Sequence, residues 1–200
     1  LTEVANKINA ALINTLPASG IIDFENPHTL GTLGHAGSKI SSEVLNQADL
    51  IIILGATWWP TDYTPRQPRV IQLDAAKDNI AATHPVDIGI VGDLGLALNG
   101  LLQFIENKDN QDWQKILDEN RKNWSAQLNG DFKEDPPLAP EIIIKTISEN
   151  TEEEDIITLD SGDNVVWFGK YFTNRCRDVL ISGTWRTMGF GIPAALAAKM

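Results

Sequence analysis

Two glycine turns and a set of strand-end residues hold most of the chemistry this chain can offer. GFGIPA, Gly189 to Ala194, has the form G-x-G-x-x-A. As a dinucleotide fingerprint it is weak, because that pattern wants its glycine turn directly after a strand, and TWRTM intervenes here after VLISG. GHAGSK, Gly34 to Lys39, leads a glycine turn into a helix at Ser38, where backbone N–H groups can face an anion. It reads equally as an N-capped helix with His35 in its loop, and it lacks the spacing of a P-loop. The strand-end residues are Asn14 and Thr15, then Gly55, Ala56 and Thr57, then Asp74 and Ala75, then Gly92 and Asp93. In a parallel α/β sheet, ligands sit where strands end; small residues there let a ligand approach the backbone, and an acid such as Asp74 can accept hydrogen bonds from ribose hydroxyls. Gly and Asp also simply terminate strands, which accounts for any one position, but agreement at four strand ends points to a nucleotide-shaped ligand.

Other chemistries find little support. There is no GxSxG and no HExxH, and His28, His35 and His84 are too far apart to suggest a metal cluster by local spacing. His28 and His84 stand beside prolines in NPHTL and THPVD and read as solvated turn histidines. Trp58 and Trp59 follow LIIILGAT and can stack on a ring system or pack at a rim. Cys176 is the single cysteine, set between Arg175 and Arg177. It reads as an incidental thiol, with no disulfide framework or CxxC site, which suits a reducing cytoplasm. A formal charge of −11 with 16 scattered Lys and Arg argues against a nucleic-acid partner. The longest apolar run, Leu50 to Ala56, is too short to span a bilayer, and the residues from Leu1 onward do not have the charged-then-apolar pattern of a signal peptide.

The elements that must position these residues alternate strand and helix. Leu1, Val4, Ala5 and Ile8 fall at helical spacing, AALINT (Ala10 to Thr15) reads as a strand, and SKISSEVLNQA (Ser38 to Ala48) as a helix burying Ile40, Val44 and Leu45. LIIIL (Leu50 to Leu54) is a continuous apolar run of the kind buried on both faces of a parallel sheet; VIQLD (Val70 to Asp74) and DIGIV (Asp87 to Val91) repeat it. Asp93 to Glu106 reads as a helix. The class is α/β, a doubly wound Rossmann-like parallel sheet, followed by the start of a second α/β domain. QDWQKILDENRKNWSAQL sets Trp113, Ile116, Leu117, Trp124 and Leu128 on one helix face, and NGDFKEDPPLAP brings breakers with little to bury. The expected division is a central domain over 1–106, its first strand missing, a helical and Pro-rich linker over 107–139, and a truncated second domain over 140–200. That second domain reads as a helix from Pro140, the strand DIITLD, SGDN, a helix-like VVWFGKYF, the strand VLIS and a closing helix after Pro193. Since Leu1 opens inside a helical pattern and no C-cap follows Met200, the expectation is an internal piece of a longer protein.

NTLPASGIIDFENPHTLGTLGHAGSK, ADLIIILGATWWP, RVIQLDAAKDNI and VDIGIVGD in the first part, with IITLDSGDNVVW and SGTWRTMGFGIPAALAAK in the second, resemble the thiamine-diphosphate-dependent 2-oxoacid enzymes, the group of pyruvate oxidase and acetolactate synthase. The resemblance covers nearly the whole chain, as the central domain and the beginning of the pyrophosphate-binding domain. It implies that Met188 wedges between the two rings of thiamine diphosphate and holds it bent. Met packs well on aromatic faces, and glycines at 189 and 191 let the backbone pass close. Thr187 and Gly189 flank the wedge, and Gly162, Asp163 and Asn164 match the loop that contacts the aminopyrimidine.

The resemblance also implies a Mg²⁺ site beyond Met200, because none of the Gly-Asp pairs here is followed by Gly. An activating glutamate would precede Leu1 and act from a partner subunit in a homo-dimer or homo-tetramer, so no catalytic residue and no activity are expected of this piece alone. FAD, in members that carry it, would lie along Asn14, Thr15, His35, Gly37, Gly55, Ala56, Thr57, Asp74, Ala75, Gly92 and Asp93. GATWWP is similar to the turn of pyruvate oxidases, which favours pyruvate decarboxylation followed by oxidation. Acetolactate synthase or a flavin-free decarboxylase is the alternative, and a non-catalytic nucleotide-binding module the alternative of another class. Thr184-Trp185-Arg186 departs from the small residues usual before Thr187, and Arg186 can meet an anionic substrate or a surface carboxylate.

Overall fold

The computed structural model describes residues 1–22, 24–56 and 61–200. Among the described residues, seven strands pair, each time in parallel. β1 (Leu12–Asn14) lies beside β2 (Thr29–Thr32); β3 (Leu50–Leu54), β4 (Arg69–Asp74) and β5 (Ile88–Val91) follow in that order; β6 (Ile156–Leu159) lies beside β7 (Asp178–Ile181). The registers of β3–β4, β4–β5 and β6–β7 are regular, with Ile51 opposite Val70, Leu73 opposite Ile90 and Ile157 opposite Val179, whereas that of β1–β2 shifts between Leu12 and Asn14. The helices are α1 (Thr2–Ile8), α2 (Lys39–Leu45), α3 (Leu94–Leu102), α4 (Gln111–Leu128), α5 (Pro140–Glu149), α6 (Asp163–Tyr171) and α7 (Gly191–Lys199); α6 makes the crossover from β6 to β7, while the connections from β1 to β2, β3 to β4 and β4 to β5 carry short 3-10 turns. The architecture is the Rossmann-like α/β arrangement expected.

Local chemistry explains where the helices start. Ser38 Oγ accepts from the Ile40 amide at the head of α2, Asp93 from Leu96 at the head of α3, and Asn110 from Trp113 at the head of α4. Each satisfies an amide that a helix leaves orphaned in its first turn. Pro140 opens α5 at a position whose missing N–H costs nothing.

Several expectations change. LIIIL is not buried on both faces: Ile51 and Ile53 are buried while Leu50 is 40% exposed. In β5, Ile88, Ile90 and Val91 are all exposed, because β5 is the edge of its sheet and α3 packs against α1. β2, the stretch TLGT, was not expected as a strand. His84 is buried rather than solvated, its Nδ1 2.7 Å from the Pro85 carbonyl, and His28 is half-buried, with burial lowering its pKa against the opposing pull of Asp118.

Among the described residues the core comprises four buried hydrophobic clusters, the smallest of which is Ala5, Leu12 and Ile22. In the first, Phe24, Leu30, Ile40 and Val44 meet Leu117 and Trp124 of α4. The segment read as part of a linker therefore lends a helix to this core, and each such side chain contributes about 1.5–3 kcal/mol when fully buried. Arg121 fixes the dock by donating to the Thr29 carbonyl and, at 2.6 Å, to the Phe24 carbonyl, with its guanidinium 5.0 Å from the Trp124 ring centroid. The second cluster, Leu33, Ile51, Ile53 and Val70, takes in Ile13 of β1 and so joins the first two sheets. The third gathers Ile144, Leu159, Phe168, Phe172 and Cys176, and Leu16 from the first half packs onto it. At that seam backbone meets backbone: a Cβ on Gly169 of α6 would collide with the Ala36 carbonyl, and one on Gly20 would stand 2.6 Å from Cys176 Sγ.

Candidate functional site

At the C-terminal end of β6 the chain turns through Asp160, Ser161 and Gly162 into α6, while the chain leaving β7 returns over the same point through residues 187–191. Gly162, the N-cap of α6, has φ 146°. Its conformation is one that side chains disfavour, and it lets Asp163 and Asn164 begin a helix immediately after the strand. Asn164 Nδ2 reaches back to the Asp160 carbonyl at 2.9 Å. Across from it, the Thr187 amide donates to Ser182 Oγ at 3.0 Å, and the Thr187 carbonyl accepts from Ser161 Oγ at 3.3 Å. The structure thus brings the Gly162–Asn164 loop and the Thr187–Gly189 turn together.

Asp160 joins them, and sequence reasoning missed it. Its Oδ1 accepts from the Ser161 and Gly189 amides, both at 2.7 Å, and its Oδ2 from the Gly191 amide at 3.2 Å. Thr158 Oγ1 donates to the Gly191 carbonyl at 2.9 Å, so Gly191 is held from both sides. These donors hold the Asp160 carboxyl below its ordinary range: Ser161 contributes most, partial burial opposes, and the amides of Gly191, Gly189 and Phe190 add to it. In the sequence Asp160 is simply the last residue of DIITLD, and no local signal links it to amides 29 and 31 residues further on.

On this pinned turn Met188 is 82% exposed, beside Trp185 at 87%. Gly189 has φ 83°, and no heavy atom stands within 4 Å of where its Cβ would be. An apolar side chain held out by a fixed backbone, with open space over the adjacent glycine, fits the face of an aromatic ring. The family resemblance implies that such a ring, that of thiamine diphosphate, meets these residues. A diphosphate-bound cation is a different matter: among the described residues, no group of three or more His, Cys, Asp and Glu could hold a metal.

The central-domain residues occupy the ends of parallel strands. The Gly55 amide bonds the Leu73 carbonyl and the Gly92 amide the Asp74 carbonyl, so the ends of β3, β4 and β5 lie side by side. Asp74 and Asp93 have local duties, however. Asp74, 4% exposed, accepts with Oδ1 from the Ala76 amide and Asn79 Nδ2, and Asp93 caps α3. Asn14 Nδ2 donates to the Thr15 carbonyl and Thr32 Oγ1, while its buried Oδ1 lacks a partner. His35 and Gly37 line a cavity of about 290 Å³ with Tyr63, Gln127 and Lys170, apart from Gly55, Asp74 and Gly92. The edge is open at Gly92, where nothing lies within 4 Å of a Cβ. A nucleotide here would be met by small residues and backbone more than by uncommitted acids. Thr57, Trp58 and Trp59 lie outside the described residues.

Comparison with known proteins fits this picture. Residues 1–101 match the family described as "Thiamine pyrophosphate enzyme, central domain", and residues 160–200 that described as "Thiamine pyrophosphate enzyme, C-terminal TPP binding domain". A Bacillus subtilis (strain 168) protein named for containing thiamine pyrophosphate, YdaP, is 33% identical over 202 residues, covering 100% of this chain and 35% of its own length. Acetolactate synthase isozyme 1 large subunit of Escherichia coli (strain K12) is 28% identical over 99% of this chain and 36% of its own length. Pyruvate oxidase of Lactiplantibacillus plantarum is 26% identical over 100% of this chain and 34% of its own length. The chain spans about a third of the length of the curated relatives it matches.

Proposed function

Because the chain belongs to the thiamine pyrophosphate enzyme family, we propose that it forms the central unit and the first part of the cofactor-binding unit of an enzyme that decarboxylates a 2-oxoacid, of the pyruvate oxidase type. The observation that carries the reading is the meeting of the Gly162–Asn164 loop with the Thr187–Gly189 turn, which leaves Met188 standing out over open space beside Gly189. Thiamine diphosphate, when bound, supplies the carbanion chemistry and the electron sink for loss of carbon dioxide. Met188 offers the apolar surface that supports its rings, and Gly189 gives the room for close approach. The Gly162–Asn164 backbone forms the opposite wall. Residues 1–106, 107–139 and 140–200 are the proposed central unit, connecting segment and cofactor-binding unit. Mg²⁺, the activating acid and assembly into a homo-dimer or homo-tetramer belong to the whole enzyme in this proposal.

The finer assignment to an oxidase using FAD along the strand-end edge competes with acetolactate synthesis, since relatives of both names match the full chain at similar identity. One experiment separates them. The full-length protein is purified with Mg²⁺ and thiamine diphosphate, its visible absorbance recorded, and its products from pyruvate identified. A yellow protein that oxidises the decarboxylated fragment supports the proposal. Acetolactate as the sole product overturns the oxidase assignment, and failure to bind thiamine diphosphate overturns the whole reading. No helix among the described residues is long and apolar enough to cross a membrane.

A further inference from the structure

We propose that Asp160 is a positioning residue whose carboxylate, by accepting the Gly189 and Gly191 amides, sets the height and direction of Met188 against the cofactor; the inference rests on the thiamine reading above and deepens it. Met188 is flanked by two backbone ties it does not make itself. Before it, Thr187 is held through its amide by Ser182 Oγ and through its carbonyl by Ser161 Oγ. After it, the Gly189 amide ends on Asp160 Oδ1 at 2.7 Å and the Gly191 amide on Oδ2 at 3.2 Å. Both carboxylate oxygens are therefore used, one on each glycine.

The turn needs such an anchor for a physical reason. Gly189 sits at φ 83° with nothing within 4 Å of a Cβ position, so no side-chain packing holds its conformation, and glycine has the widest choice of alternatives. Met188 is 82% exposed and cannot hold itself by burial. Hydrogen bonds to an ionised acceptor are the strong class, about twice a neutral pair, and here they replace packing as the source of order. The same amides, with Ser161 first, favour the ionised form and hold the Asp160 carboxyl below its ordinary range. The site thus keeps an apolar wedge in the open at a fixed angle, which is what preorganisation for a ring requires.

The test compares the full-length protein with its Asp160→Asn, Asp160→Ala and Asp160→Glu variants by three readouts. These are site-resolved hydrogen exchange at Gly189 and Gly191, thiamine diphosphate affinity from tryptophan quenching, and affinity for Mg²⁺–pyrophosphate. Loss of a charge-assisted hydrogen bond predicts that Asp160→Ala exchanges both glycine amides at least about tenfold faster while helices α5 and α6 keep their protection. Thiamine diphosphate affinity should fall by about tenfold or more, with Mg²⁺–pyrophosphate affinity unchanged, because only ring support is lost. Asp160→Asn, which keeps one acceptor oxygen, should fall between, and Asp160→Glu should recover part of the exchange protection. Unchanged exchange in Asp160→Ala and Asp160→Asn overturns the proposal, as does parallel loss of both affinities together with protection throughout residues 156–199, which marks a merely structural role. If the wild-type protein binds pyrophosphate but no thiamine diphosphate, the thiamine reading fails; the exchange data then still decide whether Asp160 fixes the turn.

Discussion

The same substitution, Gly→Ala, should have opposite signs at two helical positions. In a helix interior alanine is favoured over glycine by about 1 kcal/mol, through backbone entropy alone. At Gly100 in α3 a Cβ would have nothing within 4 Å, so Gly100→Ala should show that gain undiluted. At Gly169 in α6 the new methyl would stand well inside 3.0 Å of the Ala36 carbonyl oxygen and 3.1 Å from its carbon and from Leu16 Cδ1. The obstacle is backbone in the loop after β2, anchored through Ser38 and Gly37, and it has no rotamer to escape into. Overpacking of this kind costs about 1–3 kcal/mol and here sits at the top of that range, so the net effect of Gly169→Ala is a loss of about 1–2 kcal/mol. For a chain of this size each kcal/mol moves the thermal midpoint by about 2–4 °C. Thermal melts followed by far-UV circular dichroism should therefore rise by about 2–4 °C for Gly100→Ala and fall by about 2–8 °C for Gly169→Ala. A rise in both would refute the packing of α6 against residues 33–37, because propensity would then be the only term acting.

Other outcomes follow from the same geometry. Trp124→Ala should cost about 3–5 kcal/mol in urea unfolding, since the ring is 3% exposed beneath Phe24 and Arg121; a loss under 1 kcal/mol would mean that α4 is only a tether. Ser38→Ala should cost about 1 kcal/mol by orphaning the Ile40 amide, and Ser38→Asn should restore most of it. The Cys176 thiol is 5% exposed, and its pKa is pushed up first by burial and then by Asp178 and Asp155. Iodoacetamide at pH 8 should modify it only as the chain unfolds. Because the folded value lies above the unfolded one, this contribution to stability is complete below the ordinary thiol range and is lost as pH rises through the folded value; a Cys176→Ser chain should lack that alkaline decline.

The sequence made most of the elements readable, for reasons visible at particular residues. Ser38, Asp93 and Pro140 announce helix starts chemically, and LIIIL and VIQLD are dense enough in branched apolar residues to be strands whatever surrounds them. β2 was hidden because its buried positions include Thr29 and Thr32, nearly inaccessible yet polar, with Gly31 between. Periodicity identified the apolar face of α4 but not its partners, since a helix face says that something covers it and not what. It also overstated β5, because an apolar run cannot tell a central strand from an edge. At the site, the glycine turn and SGDN were legible as separate motifs. Their junction was not, since it depends on a carboxylate bonding amides 29 and 31 residues away.

The docking of α4 sets a rule for dissecting this molecule. Excision of the first α/β unit at residue 106 would remove the buttress that covers Phe24, Leu30, Ile40 and Val44, together with the guanidinium that ties down the Phe24 and Thr29 carbonyls. A recombinant piece ending there would carry an uncovered greasy flank and aggregate, whereas one extended past Leu128 would bring its own cover.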